Sequence, residues 1–215
     1  MIALNKTAIP RLLEENSAQW TETLLEKQRR GEAPTAAELS RYNHPAIKAA
    51  LLAETHEKCA YCESKVRHVA FGDVEHIVPK SVVPEQRFAW ENLTIACDVC
   101  NTRKGNREGF LDPYRDVPDE HLTFEGPVLL PRPESALGLF TETTLELNRM
   151  PLVERRRDRL MELHRLIILA ETHADAATRA ALRDDILRNG VSVEREYAGM
   201  CRVVVARQLP APAGT

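Results

Sequence analysis

Two pairs of cysteines, Cys59-Ala-Tyr-Cys62 and Cys97-Asp-Val-Cys100, are separated by 34 residues and restrict the fold of this 215-residue chain more than any other feature. Two residues between thiolates is the spacing at which one tight turn presents both sulfurs to a single ion. Two such turns complete a closed, tetrahedral four-thiolate zinc site. The competing readings are four unrelated buried thiols or redox-active pairs. Paired spacing disfavours the first, and the lack of a clear βαβ context around either pair disfavours the second. Four thiolates leave no open coordination position, so a zinc ion held here would staple the chain and not catalyse. The fifth cysteine, Cys201, lies on an apolar stretch and reads as core.

Inside the stapled loop runs GDVEHIVPK, residues 72–80, a short β-type run in which Glu75 and His76 stand side by side. Adjacent side chains of a strand point to opposite faces, so this pair can serve a core and a cleft at once. An acid-His dipeptide is most often a surface ion pair or a structural histidine. Zinc closure changes that weighting, because it brings the strand against the segment beginning at Asn101. Polar groups distant in sequence can then converge.

The flanks read as helical. Pro10 suits a first turn, Ile9, Leu13, Trp20 and Leu24 recur at helical spacing, and Gly31 follows the basic end Lys27, Arg29, Arg30. Thr35-Ala-Ala-Glu38 has capping-box form, and Pro45 opens a further helix running through Leu52. From Cys59 to about Arg107 the helical period lapses, and the apolar runs 74–78 and 93–96 predict a hairpin. Residues 110–133 read as an irregular connection with one strand pair around 122–130. Helices are then expected over 152–172, 175–188 and 192–207. The last has Ser192 as its cap and Val193, Tyr197, Cys201, Val204 and Val205 on one face. The tail PAPAG reads as frayed.

Composition removes some classes of function. With 43% hydrophobic and 28% charged residues the chain is an ordinary globular protein, and a net charge of −3 means that nucleic-acid binding would have to come from local patches. No apolar run approaches the ~20 residues of a membrane span. The start MIALNKTAIP lacks the apolar core of a signal peptide. A cytoplasmic protein with reduced cysteines is the expectation.

The segments C-A-Y-C, D-V-E-H-I-V-P-K, W-E-N-L and C-D-V-C-N-T-R-K-G, in this order, resemble the HNH nuclease family. The resemblance covers Cys59 to about Asn106 and implies a ββα-metal core. The flanking phrases IKAALLAETHEKCAYCES, LDPYRDVPDEHLTF and TLELNRMPLVERRRDRL look like the HNH subunit of Septu-type anti-phage systems and similar HNH proteins of retrons. By this resemblance His76 is the general base, Glu75 a ligand of the catalytic ion, Asn92 the residue that orients the histidine, and Asn101 the second protein ligand. Many HNH proteins carry Asp where this chain has Glu75. An amide oxygen is a harder ligand than imidazole, which points to Mg2+ or Mn2+ as the catalytic ion.

Arg103, Lys104 and Arg107 follow on the predicted helix, where they are expected to contact phosphates, with a solvated basic face as the alternative. Six arginines between 149 and 165 form a second basic stretch that could track a nucleic acid, dock an acidic partner or simply line an amphipathic helix.

The expected fold is α+β: a mostly helical protein around a zinc-stapled ββα-metal core. It divides into an N-terminal helical region (1–56), the core (57–110) and a connecting segment with C-terminal helices (111–215). The expected function is a metal-dependent endonuclease on DNA, carrying structural Zn2+ and catalytic Mg2+ or Mn2+. The chain has no G-x-x-x-x-G-K-[ST] loop of its own, and the resemblance to the Septu subunit implies a separate ATPase partner. The alternatives are an RNA-cleaving nuclease, or an inactive zinc-stabilised module that binds nucleic acid or protein. Glu75, His76, Asn92 and Asn101 occurring together argue against the inactive module.

Overall fold

The structure, a computed structural model, describes residues 1–66 and 72–209; His68 and the PAPAG tail lie outside the described residues. Helix α1 (Arg11–Arg29) begins directly after Pro10, whose missing N–H is one that a helix start leaves unbonded in any case. Gly31 ends the segment with φ +71°. Helix α2 (Ala36–Leu39) carries the predicted capping box: the Thr35 hydroxyl accepts the Glu38 N–H at 3.2 Å while the Glu38 carboxylate accepts the Thr35 N–H at 2.7 Å. Helix α3 (Pro45–Glu54) starts on its proline and buries Ile47, Leu51 and Leu52.

Strands β1 (Asp73–His76) and β2 (Leu93–Ala96) pair antiparallel, with Asp73 opposite Ala96 and His76 opposite Leu93. Gly72 leads into β1 with φ +60°, and a Cβ there would lie 3.0 Å from the Val66 side chain. The first cysteine turn hangs on the outer strand, Ala60 N–H donating to Ile95 O at 2.9 Å. The second forms the start of α4 (Asp98–Lys104). Hairpin and helix together make the expected ββα unit.

A short helix α5 (Pro118–His121) leads into the hairpin β3 (Leu122–Glu125) and β4 (Val128–Pro131). Helix α6 (Ala136–Thr144) falls in a stretch to which the sequence reading assigns no element; the Ser135 hydroxyl caps it by accepting the Gly138 N–H. Helix α7 (Met150–Thr172) turns Leu152, Leu160, Leu163 and Ile167 inward. Helix α8 (Ala176–Asp185), capped by Asp175, widens into a π turn over Ile186–Gly190.

The last helix differs from the reading of the sequence. Helix α9 (Ala198–Gln208) starts six residues after Ser192, whose hydroxyl only accepts the Glu194 N–H in a local turn. The cause is tertiary. Residues 195–199 form a strap over the first cysteine turn: Lys58 Nζ donates to Arg195 O (3.0 Å), Lys65 N–H to the Glu196 carboxylate (2.7 Å) and Gly199 N–H to the Glu63 carboxylate (3.2 Å). Tyr197 takes a left-handed backbone at φ +56° to complete it, with its hydroxyl 3.0 Å from Ser64 Oγ.

One apolar cluster runs from Leu13 and Ile47 through Tyr61, Trp90 and Ile95 to Leu160 and Met200. Buried Glu54 ties three distant segments together at its edge, accepting from Lys6 Nζ (3.0 Å), Thr7 N–H (2.9 Å) and Tyr114 Oη (2.7 Å). Trp90 is core, and its indole N–H donates to Thr7 O. Among the described residues no helix is long and apolar enough to cross a membrane.

Candidate active site

The ββα unit presents two polar constellations, the cysteine cluster and the groups around Glu75 and His76. The four cysteine Sγ atoms Cys59, Cys62, Cys97 and Cys100 lie within 4.8 Å of one another, with Cys62 and Cys97 at 3.9 Å. Four sulfurs about 2.3 Å from one zinc stand roughly 3.8 Å apart, so the cluster is already gathered to that size. Burial pushes Cys59 well above the usual thiol range, while hydrogen bonds from Cys100, Cys59 and Cys97 hold Cys62 well below it. Arg149, at the start of α7, directs its guanidinium at Cys100 Sγ (3.8 Å) and Cys97 Sγ (3.9 Å). Burial alone would lower its pKa; the three thiols Cys100, Cys62 and Cys97 raise it. A cation beside the cluster offsets part of the double negative charge that a zinc ion with four thiolates carries.

In the second constellation, β1 alternates as a strand must. Asp73 and Glu75 face α4, where Asn101 and Lys104 stand one turn apart. Asn101 Nδ2 donates to Asp73 Oδ2 at 3.1 Å. Lys104 Nζ sits 2.8 Å from Glu75 Oε1 and also donates to His76 O at 2.8 Å. Burial raises the Glu75 pKa against the opposing pull of Lys104 and of the His76 N–H.

His76 points the other way. Its ring packs edge-on against Tyr42, centroids 4.6 Å apart at 84°, and its Nε2 lies 2.9 Å from Arg87 O. A carbonyl can only accept, so Nε2 carries the proton and Nδ1 keeps the free lone pair. Burial lowers the pKa of His76 to about 4, so the ring is neutral at pH 7.

Asn92 does not touch the imidazole. Its Oδ1 accepts Val78 N–H (2.7 Å) and its Nδ2 donates to Val78 O (2.9 Å) and Gln86 O (3.2 Å). These bonds close the loop that delivers the Arg87 carbonyl to His76, so any orienting effect passes through backbone.

The basic residues distribute unevenly. Lys104 is 1% exposed and engaged with Glu75, which takes it out of reach of a phosphate. Arg103 pairs with Glu146, and Arg107 is exposed with Nη1 donating to Arg103 O. Both line a cleft of about 660 Å³ with Asp98, Thr102 and Thr144. The arginines of α7 divide between interior and surface. Arg156 is 1% exposed and donates to Leu147 O, and Arg159 donates to Gly190 O. With Arg149 on the cysteines, only Arg155, Arg157 and Arg165 of the expected basic stretch lie exposed.

Asp73 was missed from the sequence, although its place two residues before Glu75 put it on the same strand face. Tyr42 and Lys80, which lie beside His76, were also missed; no local pattern joins residue 42 to the core.

The sequence model of the HNH endonuclease family matches residues 59–107. The chain carries an HNH endonuclease domain. It is also homologous to two proteins named Septu protein PtuB. That of Bacillus thuringiensis is 35% identical over 86 residues, covering 38% of this chain and 34% of the relative. That of Bacillus mycoides (strain KBAB4) is 25% identical over 150 residues, covering 54% and 51%. The chain thus spans about a third to a half of the length of these curated relatives. The HNH match begins at Cys59 and ends three residues past Lys104, so both cysteine turns, β1, β2 and α4 all fall inside it.

Proposed function

We propose that this protein is a metal-dependent endonuclease that hydrolyses phosphodiester bonds of DNA, serving as the nuclease of a Septu-type anti-phage system alongside an ATPase partner. The observation that carries the reading is the state of His76: a neutral imidazole, protonated on Nε2 against Arg87 O, with Nδ1 free, one residue from a carboxylate inside an HNH domain. The homology to Septu protein PtuB supports the defence setting. The preference for DNA rests on the resemblance to the HNH family, and the ATPase partner on the resemblance of the flanks.

In this reading His76 Nδ1 takes a proton from the attacking water, and the Nε2–H bond to Arg87 O strengthens as the ring becomes cationic. Asn92 keeps that carbonyl in place. In this reading Asp73, Glu75 and Asn101 Oδ1 would hold the catalytic ion, oxygen donors of the kind that suit Mg2+ or Mn2+. When bound there, such an ion supplies stabilisation of the charge that grows on the phosphate and the departing oxygen. Lys104 holds Glu75 in place beneath this set. The family resemblance implies 5′-phosphate and 3′-hydroxyl ends. The four cysteines hold the structural zinc in this scheme, apart from the chemistry.

The test is cleavage of duplex DNA, single-stranded DNA and RNA by the purified chain, alone and with a co-expressed ATPase, in Mg2+ or Mn2+. Cleavage of DNA that falls by roughly 10²- to 10⁴-fold in His76→Ala with an unchanged melting temperature is expected. Cleavage confined to RNA overturns the substrate, and equal cleavage by His76→Ala overturns the mechanism.

A further inference from the structure

The positive charges around His76 are not equivalent. Lys104 is buried and held between Glu75 and the His76 carbonyl. Arg87 donates by Nη1 to Leu39 O at 3.0 Å. Lys80 is half-exposed, and its ammonium is bonded to a neutral oxygen, the Tyr42 hydroxyl, at 2.8 Å. A neutral acceptor fixes the position of an ammonium without cancelling its charge, and two N–H donors remain for another acceptor. The same Tyr42 ring stands edge-on to the His76 imidazole and lies 4.8 Å from Lys80 Nζ. One buried aromatic side chain, contributed by the N-terminal region, thereby sets both the histidine and the cation.

We infer that Lys80, held by Tyr42, is a phosphate-binding residue that seats a nucleic-acid phosphate beside His76, with Tyr42 as its positioning residue. The inference deepens the nuclease reading and rests on it for the identity of the anion. The Tyr42 ring, 4.6 Å from the His76 ring and 4.8 Å from Lys80 Nζ, sets the ammonium one aromatic side chain away from the imidazole. Lysine suits the role, since a compact ammonium meets a phosphate oxygen as a point charge and needs no planar fork.

The decisive measurement is binding, made apart from cleavage. A fluorescein-labelled DNA oligonucleotide is titrated by anisotropy against the full chain, with no Mg2+ or Mn2+ added, at several salt concentrations. Lys80→Met is expected to weaken binding roughly tenfold and to lower the slope of log K against log salt by about 0.7 to 0.9, the loss of one phosphate contact. Lys80→Arg should restore most of the affinity and the slope. Tyr42→Phe keeps the ring on His76 and removes the hydroxyl; it should weaken binding a few-fold with the slope unchanged, because the charge is still present.

A merely structural lysine would lower the melting temperature and leave the slope alone. Equal affinity and slope in wild type and Lys80→Met, or no binding by wild type, overturns the inference. Lys80-dependent binding without cleavage under any condition supports it and overturns the nuclease reading instead, so the two failures are distinguishable.

Discussion

Replacing Lys104 by methionine removes a charge from inside the HNH domain while keeping a similar volume. Lys104 is 1% exposed, its Nζ lies 2.8 Å from Glu75 Oε1, and the Glu75 side chain is itself 9% exposed. The variant therefore leaves a buried carboxylate without its counter-charge and the His76 carbonyl without its donor. Breaking one side of such a pair costs about 3 to 5 kcal/mol. For a domain of this size each kcal/mol shifts the melting temperature by about 2 to 4 °C, so a fall of roughly 6 to 20 °C is expected by calorimetry. Glu75→Gln in the Lys104→Met background should recover part of that loss, because the unpaired charge is gone, and the double-mutant cycle should show strong coupling. Added Mg2+ should stabilise Lys104→Met more than wild type, since the Glu75 carboxylate then has no other counter-charge. A loss below about 1 kcal/mol, or additive single and double variants, would refute the argument that Lys104 is consumed by Glu75.

Three further outcomes follow from the geometry. Cys97→Ser should strip about one equivalent of metal, measured by elemental analysis, and unfold or loosen the core, because apparent zinc binding in small peptides is worth roughly 10 to 16 kcal/mol. Asn92→Ala removes a residue that is 4% exposed and makes three hydrogen bonds to residues 78 and 86; urea melts should show a loss of about 2 to 4 kcal/mol. His76, depressed to about 4 by burial against an ordinary value of 6.5, leaves the unfolded chain binding more protons between those limits. Stability should therefore fall as pH drops through that window, by up to about 3 kcal/mol, and His76→Gln should flatten the pH profile.

What could be read from the sequence was local. The cysteine turns, the Thr35 capping box, the proline opening α3 and the short hairpin each depend on residues within a few positions of one another, and the structure places all of them as expected. Asn92 and Asn101 both fall inside the stretch that matches the HNH family. Pairings across the chain were not legible. A basic residue after the second cysteine turn looks like a phosphate contact until β1 is seen to aim Glu75 at it. Tyr42 lies 34 positions before His76 and belongs to a segment with no visible tie to the core. The start of α9 was misplaced for a similar reason, since Ser192 is a good cap by residue type and the strap over residues 58–65 overrides it.

That strap has a consequence for how the protein is made. The residues that close over the first cysteine turn, 195–199, are joined to it across 131 to 137 positions. A ribosome therefore completes both cysteine turns, the hairpin and the whole constellation around His76 long before it delivers the segment that covers Lys58 and Glu63. In the interval the emerging chain carries a nearly finished HNH domain whose Lys58–Glu63 pair, 2% exposed once folded, lacks the cover of the strap. A stop codon anywhere between about residues 110 and 195 would release a product that keeps every recognisable signature of the domain and lacks its clasp.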